Sequence, residues 1–94
     1  MQKSLEIEYT KYFLRAYKKF NPNLRSEIKE AIEKFKNPEN HIKLKVHKLN
    51  GRYTDKFSFS VNYSHRIIFE YINKKTVAVL LTVGDHSEYD KFLK

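Results

Sequence analysis

The sequence predicts an α+β domain: a short N-terminal strand, an antiparallel two-helix hairpin, and a mostly antiparallel sheet with one face covered by the helices. Helical periodicity between residues 10 and 35, three alternating apolar runs between 56 and 83, and turn-forming residues at the junctions carry that prediction. A chain of 94 residues buries one modest core, so residues 1–94 are read as a single domain.

Taken in order, "SLEIEY" alternates Leu5, Ile7 and Tyr9 with polar residues, the period of a brief strand fit for a sheet edge. Thr10 is a plausible N-cap for a helix carrying Phe13, Leu14, Tyr17 and Phe20 at helical spacing. Tyr12, Tyr17 and Phe20 are read as core. Asn21 and Pro22 stop that helix and start the next, whose apolar stripe is Leu24, Ile28, Ala31, Ile32 and Phe35; "KNPEN" ends it. In "HIKLKVHKLNGRY", an extended backbone over residues 43–47 sets Lys43, Lys45 and His47 on one face, with Leu44 and Val46 on the other.

Three strands follow, at about 56–62, 66–72 and 76–83, with turns near "YSH" and "NKK". Setting Asn62 opposite Arg66 and Arg66 opposite Thr82 sorts their side chains. One face then holds Phe57, Phe59, Val61, Ile67, Phe69, Tyr71, Val77, Val79, Leu81 and Val83, and should meet the helices. The other holds Ser58, Ser60, Asn62, Arg66, Ile68, Glu70, Ala78, Leu80 and Thr82, and stays partly open.

Lysine and arginine number 19 against 11 acids, and the net charge of +8 on so small a surface points to a polyanionic partner. There is no cysteine, which excludes disulfides and thiolate metal sites and suits a reducing cytoplasm. The N-terminus lacks the apolar run of a secretory signal, and no segment approaches the ~18 apolar residues of a membrane span, so no membrane partner is expected.

The predicted register puts Arg66 on the open face at the strand end where "VGDHSEYDK" begins, with Asp85 and His86 as neighbours. An arginine, two imidazoles (His47 and His86) and nearby carboxylates are what metal-free RNA cleavage requires: a base for the 2′-hydroxyl, an acid for the leaving 5′-oxygen, and a cation for the phosphorane. Otherwise Arg66 pairs with Glu70 or lies over Tyr63, and His86 orders a turn. His65 reads as a structural histidine and His41 as solvated loop. A metal site of His86, Glu88 and Asp90 is disfavoured, because only one of the three is an imidazole.

The segments "HKLNGRY", "FSFSVNYSHRIIFEY" and "VAVLLTVGDHSEYDKF" resemble the RelE/ParE superfamily of toxins from toxin–antitoxin modules, particularly its RelE, YafQ and YoeB-like ribonuclease branches. The resemblance covers nearly the whole chain and implies the microbial RNase-like order β-α-α-β-β-β. It also implies cleavage of ribosome-bound mRNA, no cofactor, a cognate antitoxin with an acidic or amphipathic segment, and oligomers formed only through that antitoxin. Arg66 matches the family's charge-stabilising arginine and His86 its C-terminal acid or base. Tyr89 falls near the aromatic that follows, and His47 matches a position that is functional in some members. Lys43, Lys45 and Lys48 resemble RNA-contacting residues. As general base His47 comes first, with Asp85 and Glu88 behind. Two other functions share the fold: a ParE-like inhibitor of DNA gyrase, and a non-catalytic basic module that binds RNA or protein. Neither explains why His47, Arg66 and His86 occur together.

Overall fold

A computed structural model describes residues 4–49 and 55–85. Strand β1 (Glu6–Tyr9) leads into helices α1 (Lys11–Lys18) and α2 (Pro22–Phe35), followed by a 3₁₀ turn at Pro38–Asn40 and strands β2 (His47–Lys48), β3 (Phe57–Ser60), β4 (Arg66–Ile72) and β5 (Val77–Gly84). This is the predicted α+β order. The sheet runs β1-β5-β4-β3-β2, so β1 is an edge strand, paired in parallel with β5. The remaining pairs are antiparallel.

Local chemistry sets the helix boundaries. Thr10 is the N-cap of α1: its Oγ1 accepts the Phe13 amide at 3.1 Å and donates to the Leu80 carbonyl at 2.9 Å, fastening the helix start to β5. Asn21 caps α2 through the Leu24 amide at 2.8 Å, and Pro22 occupies the first turn, where its missing N–H costs nothing. The stripe Ile28, Ala31, Ile32 and Phe35 is buried as its spacing predicts. Phe35 is the centre of the core, stacked on Phe59 at 4.1 Å and edge-on to Phe69 at 4.7 Å. Each such pair adds about 0.5–1.5 kcal/mol to the burial of its rings. In α1 only Phe13 is buried, and Tyr12, expected in the core, is 58% exposed. A helix of eight residues presents too few positions inward to bury a second aromatic stripe.

The sheet departs from the predicted register in two places. Ser60, not Asn62, faces Arg66, because β3 ends early and Asn62 joins the loop. On the other side Arg66 faces Gly84 and Ile68 faces Thr82, but Phe69 faces Leu80. Leu81 is therefore an extra residue in β5, a bulge that reverses side-chain parity beyond it. Ala78 and Leu80 consequently join Val83 in the helix-facing core, and Val77, Val79 and Leu81, expected there, do not. Both discrepancies at Arg66 are two residues, so Arg66 keeps its predicted face. That face is less open than its polar alternation suggests: Ser58 and Ile68 have no exposure. No helix among the described residues is long and apolar enough to cross a membrane.

Candidate functional site

The segment after α2 is not extended. Residues 41–45 form a turn closed by Lys45 in the left-handed region (φ 57°), with the Lys45 amide on the Ile42 carbonyl at 3.1 Å and the Val46 amide on the His41 carbonyl at 3.0 Å. These two bonds make the Schellman closure typical of a helix end. Leu44 is buried as the anchor, and its carbonyl receives the Ser60 amide at 2.8 Å, joining the turn to β3. Lys43 and Lys45 are left exposed on either side of that anchor. Strand alternation begins only at His47. His41, expected in solvent, stacks on Phe35 at 4.8 Å with Nε2 2.9 Å from the Phe35 carbonyl. It completes the end of α2, where a carbonyl has no helical partner.

Between this turn and the β3–β4 loop lies an open groove of about 1140 Å³ lined by Lys43, Leu44, Lys45, Ser60, Val61, Asn62, Tyr63, Ser64, Arg66 and Asp85. The loop wall is built on one side chain. Asn62 Oδ1 accepts from the Ser64 amide at 2.8 Å and the His65 amide at 2.9 Å, and lies 3.1 Å from His65 Nδ1. Its amide nitrogen donates to Glu27 of α2 at 2.8 Å. His65 is thus structural, as read, with Phe20 edge-on at 5.5 Å.

Arg66 occupies the floor of the groove. Its Nη1 is buried and has no hydrogen-bond partner among the described residues. The alternative partners are engaged or absent: Glu70 pairs with Lys56 at 2.9 Å, and Tyr63 stands fully in solvent. A buried guanidinium nitrogen without a partner costs about 1–3 kcal/mol, a cost that an anion in the groove would offset. Lys43, Lys45 and Arg66 supply positive charge there, and Asp85 is the acid among the lining residues.

His47 lies on the same sheet face. It pairs with Ser58, two residues along β3 from Ser60, the partner of Arg66, which puts its Cα about 12 Å from that of Arg66 by strand spacing. His47 Nδ1 is 2.9 Å from the Lys45 carbonyl and Nε2 is 3.5 Å from Ser58 Oγ. Because a carbonyl only accepts, Nδ1 carries the proton in the neutral ring, and Nε2 is left as the basic nitrogen facing into the sheet. The left-handed turn at Lys45 aims that carbonyl.

The structure therefore brings Lys43, Lys45, Arg66 and Asp85 to one groove, with His47 on its flank. Lys48 pairs with Phe57 and so projects to the helix side of the sheet, away from the groove. His86, Glu88, Tyr89 and Asp90 lie outside the described residues. Among the described residues no group of three His, Asp or Glu side chains could hold a metal ion. Sequence reasoning missed Ser60, Asn62, Tyr63 and Ser64 as groove residues; the signal was "NYSH", an Asx-turn pattern immediately before the arginine.

No protein-family model and no curated protein matches the sequence. Solved structures do match. The YoeB–YefM complex from Staphylococcus aureus superimposes with a TM-score of 0.68 at 21% identity, over 87% of this chain and 97% of that one. The archaeal RelE–RelB complex from Pyrococcus horikoshii gives 0.68 at 18% identity, covering 87% and 94%. YafQ from E. coli gives 0.63 at 14%, covering 90% and 97%. The chain has the fold of these proteins over nearly their entire length.

Proposed function

We propose that this chain is a RelE/ParE superfamily toxin of a toxin–antitoxin pair, a metal-independent endoribonuclease that cuts ribosome-associated mRNA and halts translation. The observation that carries this reading is the unpartnered Arg66 Nη1 in a lysine-lined groove, on a fold shared with RelE, YoeB and YafQ. Lys43 and Lys45 draw the RNA backbone into the groove, and Arg66 holds the scissile phosphate. His47 Nε2 takes the proton from the ribose 2′-hydroxyl, whose oxygen attacks phosphorus; the P–O5′ bond breaks, leaving a 2′,3′-cyclic phosphate. The departing 5′-oxygen takes a proton from His86, which follows Asp85 in sequence. Arg66 matches the negative charge that accumulates on the equatorial oxygens, an interaction stronger in the transition state than in the ground state. Tyr89 serves the site as the family's closing aromatic, Lys48 contacts the RNA chain outside the groove, and Asp85 or Glu88 is the base if His47 is not.

The cognate antitoxin neutralises this surface through an acidic or amphipathic segment, as suits a chain of net charge +8. The partner proteins in the RelE–RelB and YoeB–YefM structures support that pairing. The test is to express the chain in translating cells and map new mRNA 5′ ends, with plasmid supercoiling followed in parallel. Discrete cuts in translated messages are expected, and the same cuts in ribosome complexes by purified chain first stripped of metal with EDTA and then dialysed into ribosome buffer. Intact messages with altered supercoiling would overturn the proposal.

A further inference from the structure

We infer that Tyr63 is a stacking platform for a nucleobase adjoining the phosphate held by Arg66, an assignment that rests on reading the groove as an RNA site. Tyr63 lines the groove and is 104% exposed, the most exposed large hydrophobic side chain among the described residues. A lone tyrosine on a surface is ordinary. Three features set this one apart. Its loop is held by Asn62, which binds the amides of Ser64 and His65 and reaches across to Glu27, so the backbone under the ring is ordered in advance. Among the described residues the ring and hydroxyl of Tyr63 have no partner, and none of those residues covers the side chain. Finally, Tyr63 precedes Arg66 by three residues, and a chain step of at most ~3.6 Å keeps their Cα atoms within about 11 Å, a span of one or two nucleotides.

A cation on the phosphate beside an aromatic face for the base is how proteins grip single-stranded RNA, and stacking tolerates any base because each has a π-face. The pinned loop lowers the ordering cost of binding, and a tyrosine has only two side-chain torsions to immobilise. Tyr63 would thus hold the flanking nucleotide and fix which phosphodiester meets Arg66 without dictating sequence.

The chain has no tryptophan, so Tyr63→Trp introduces a unique fluorophore. The full chain is titrated with a short single-stranded RNA carrying 2′-O-methyl groups, which binds without being cut, and separately with polyphosphate, which offers charge without bases. The RNA should quench the indole of the Tyr63→Trp protein and polyphosphate should not. By anisotropy with labelled RNA, Tyr63→Ala should bind about 5- to 150-fold more weakly, the equivalent of 1–3 kcal/mol of stacking, while Tyr63→Phe stays within about twofold. Equal affinity of Tyr63→Ala and the parent, or equal quenching by both polyanions, would overturn the assignment. Loss of binding in Arg66→Ala but not Tyr63→Ala would remove this inference and leave the ribonuclease reading standing; no RNA binding by the parent chain would remove both.

Discussion

Replacing Arg66 by methionine separates the proposed function from stability, because among the described residues the guanidinium has a buried nitrogen that no group in the fold satisfies. Nη1 is buried without a partner, a penalty of about 1–3 kcal/mol. Methionine keeps an unbranched stem in the strand and removes that penalty, together with repulsion from Lys43 and Lys45 across the groove. Some packing of the stem and hydration of the exposed nitrogens are lost, so a net gain of about 1 kcal/mol is expected, or a rise in Tm of about 4–8 °C for a domain of this size. Cleavage should fall by about two to three orders of magnitude, the usual consequence of removing a transition-state donor. Urea unfolding at constant m-value measures the first quantity and single-turnover cleavage the second. A loss of more than about 1 kcal/mol would mean that Arg66 holds the fold together, and undiminished cleavage would end its proposed role. Arg66→Lys discriminates further: a point charge without the planar fork should restore RNA binding better than it restores rate.

Other expectations concern the scaffold. In the β4–β5 turn Asn73, Lys74 and Lys75 all have positive φ (51°, 56° and 66°), a conformation costing a non-glycine residue roughly 1–2 kcal/mol. Lys74→Gly relieves this at an entropic cost of about 0.5–1 kcal/mol, so the urea midpoint should rise by the equivalent of about 0.5–1 kcal/mol; a lower midpoint would show the turn to be unstrained. Two groups predict alkaline lability. The hydrogen bond to Glu70 raises the Lys56 pKa above 10.5, and burial raises the Tyr71 phenol above 10.0. For both, the contribution to stability is complete below the unfolded-state value and is lost as pH rises through the folded-state value. Thermal melts should therefore show a decline above about pH 10, shallower in Tyr71→Phe; a variant that declines as steeply as the parent would contradict the assignment to Tyr71.

The architecture was legible because it follows from local rules. Thr10, Asn21 and Pro22 satisfy or dispense with the free amides at the helix starts, and the Ile28–Phe35 stripe leaves only one face to bury. Period-two alternation likewise placed Arg66 on the face opposite Phe69 despite a two-residue error in register, since an even slip preserves side-chain direction. The bulge at Leu81 was not legible. Val77, Val79, Leu81 and Val83 form a continuous alternation, and nothing in it reveals that Leu80 and not Leu81 meets the helices; pairing with β4 and packing on Phe35 decide that together. The turn at 41–45 was hidden for a similar reason, because a lysine in the left-handed region leaves no glycine as its signal.

The same division applies to the site. The residue types determined a cationic chain with an arginine, two histidines and carboxylates in an order suited to phosphodiester chemistry. Only the tertiary structure decided that Lys43 and Lys45 rim the groove while Lys48 turns away, that the Lys45 carbonyl sets the tautomer of His47, and that Arg66 Nη1 is buried with no partner among the described residues. The groove itself depends on contacts between segments distant in sequence, such as the Ser60 amide on the Leu44 carbonyl, whose energies come from packing and desolvation and leave no trace in any local pattern.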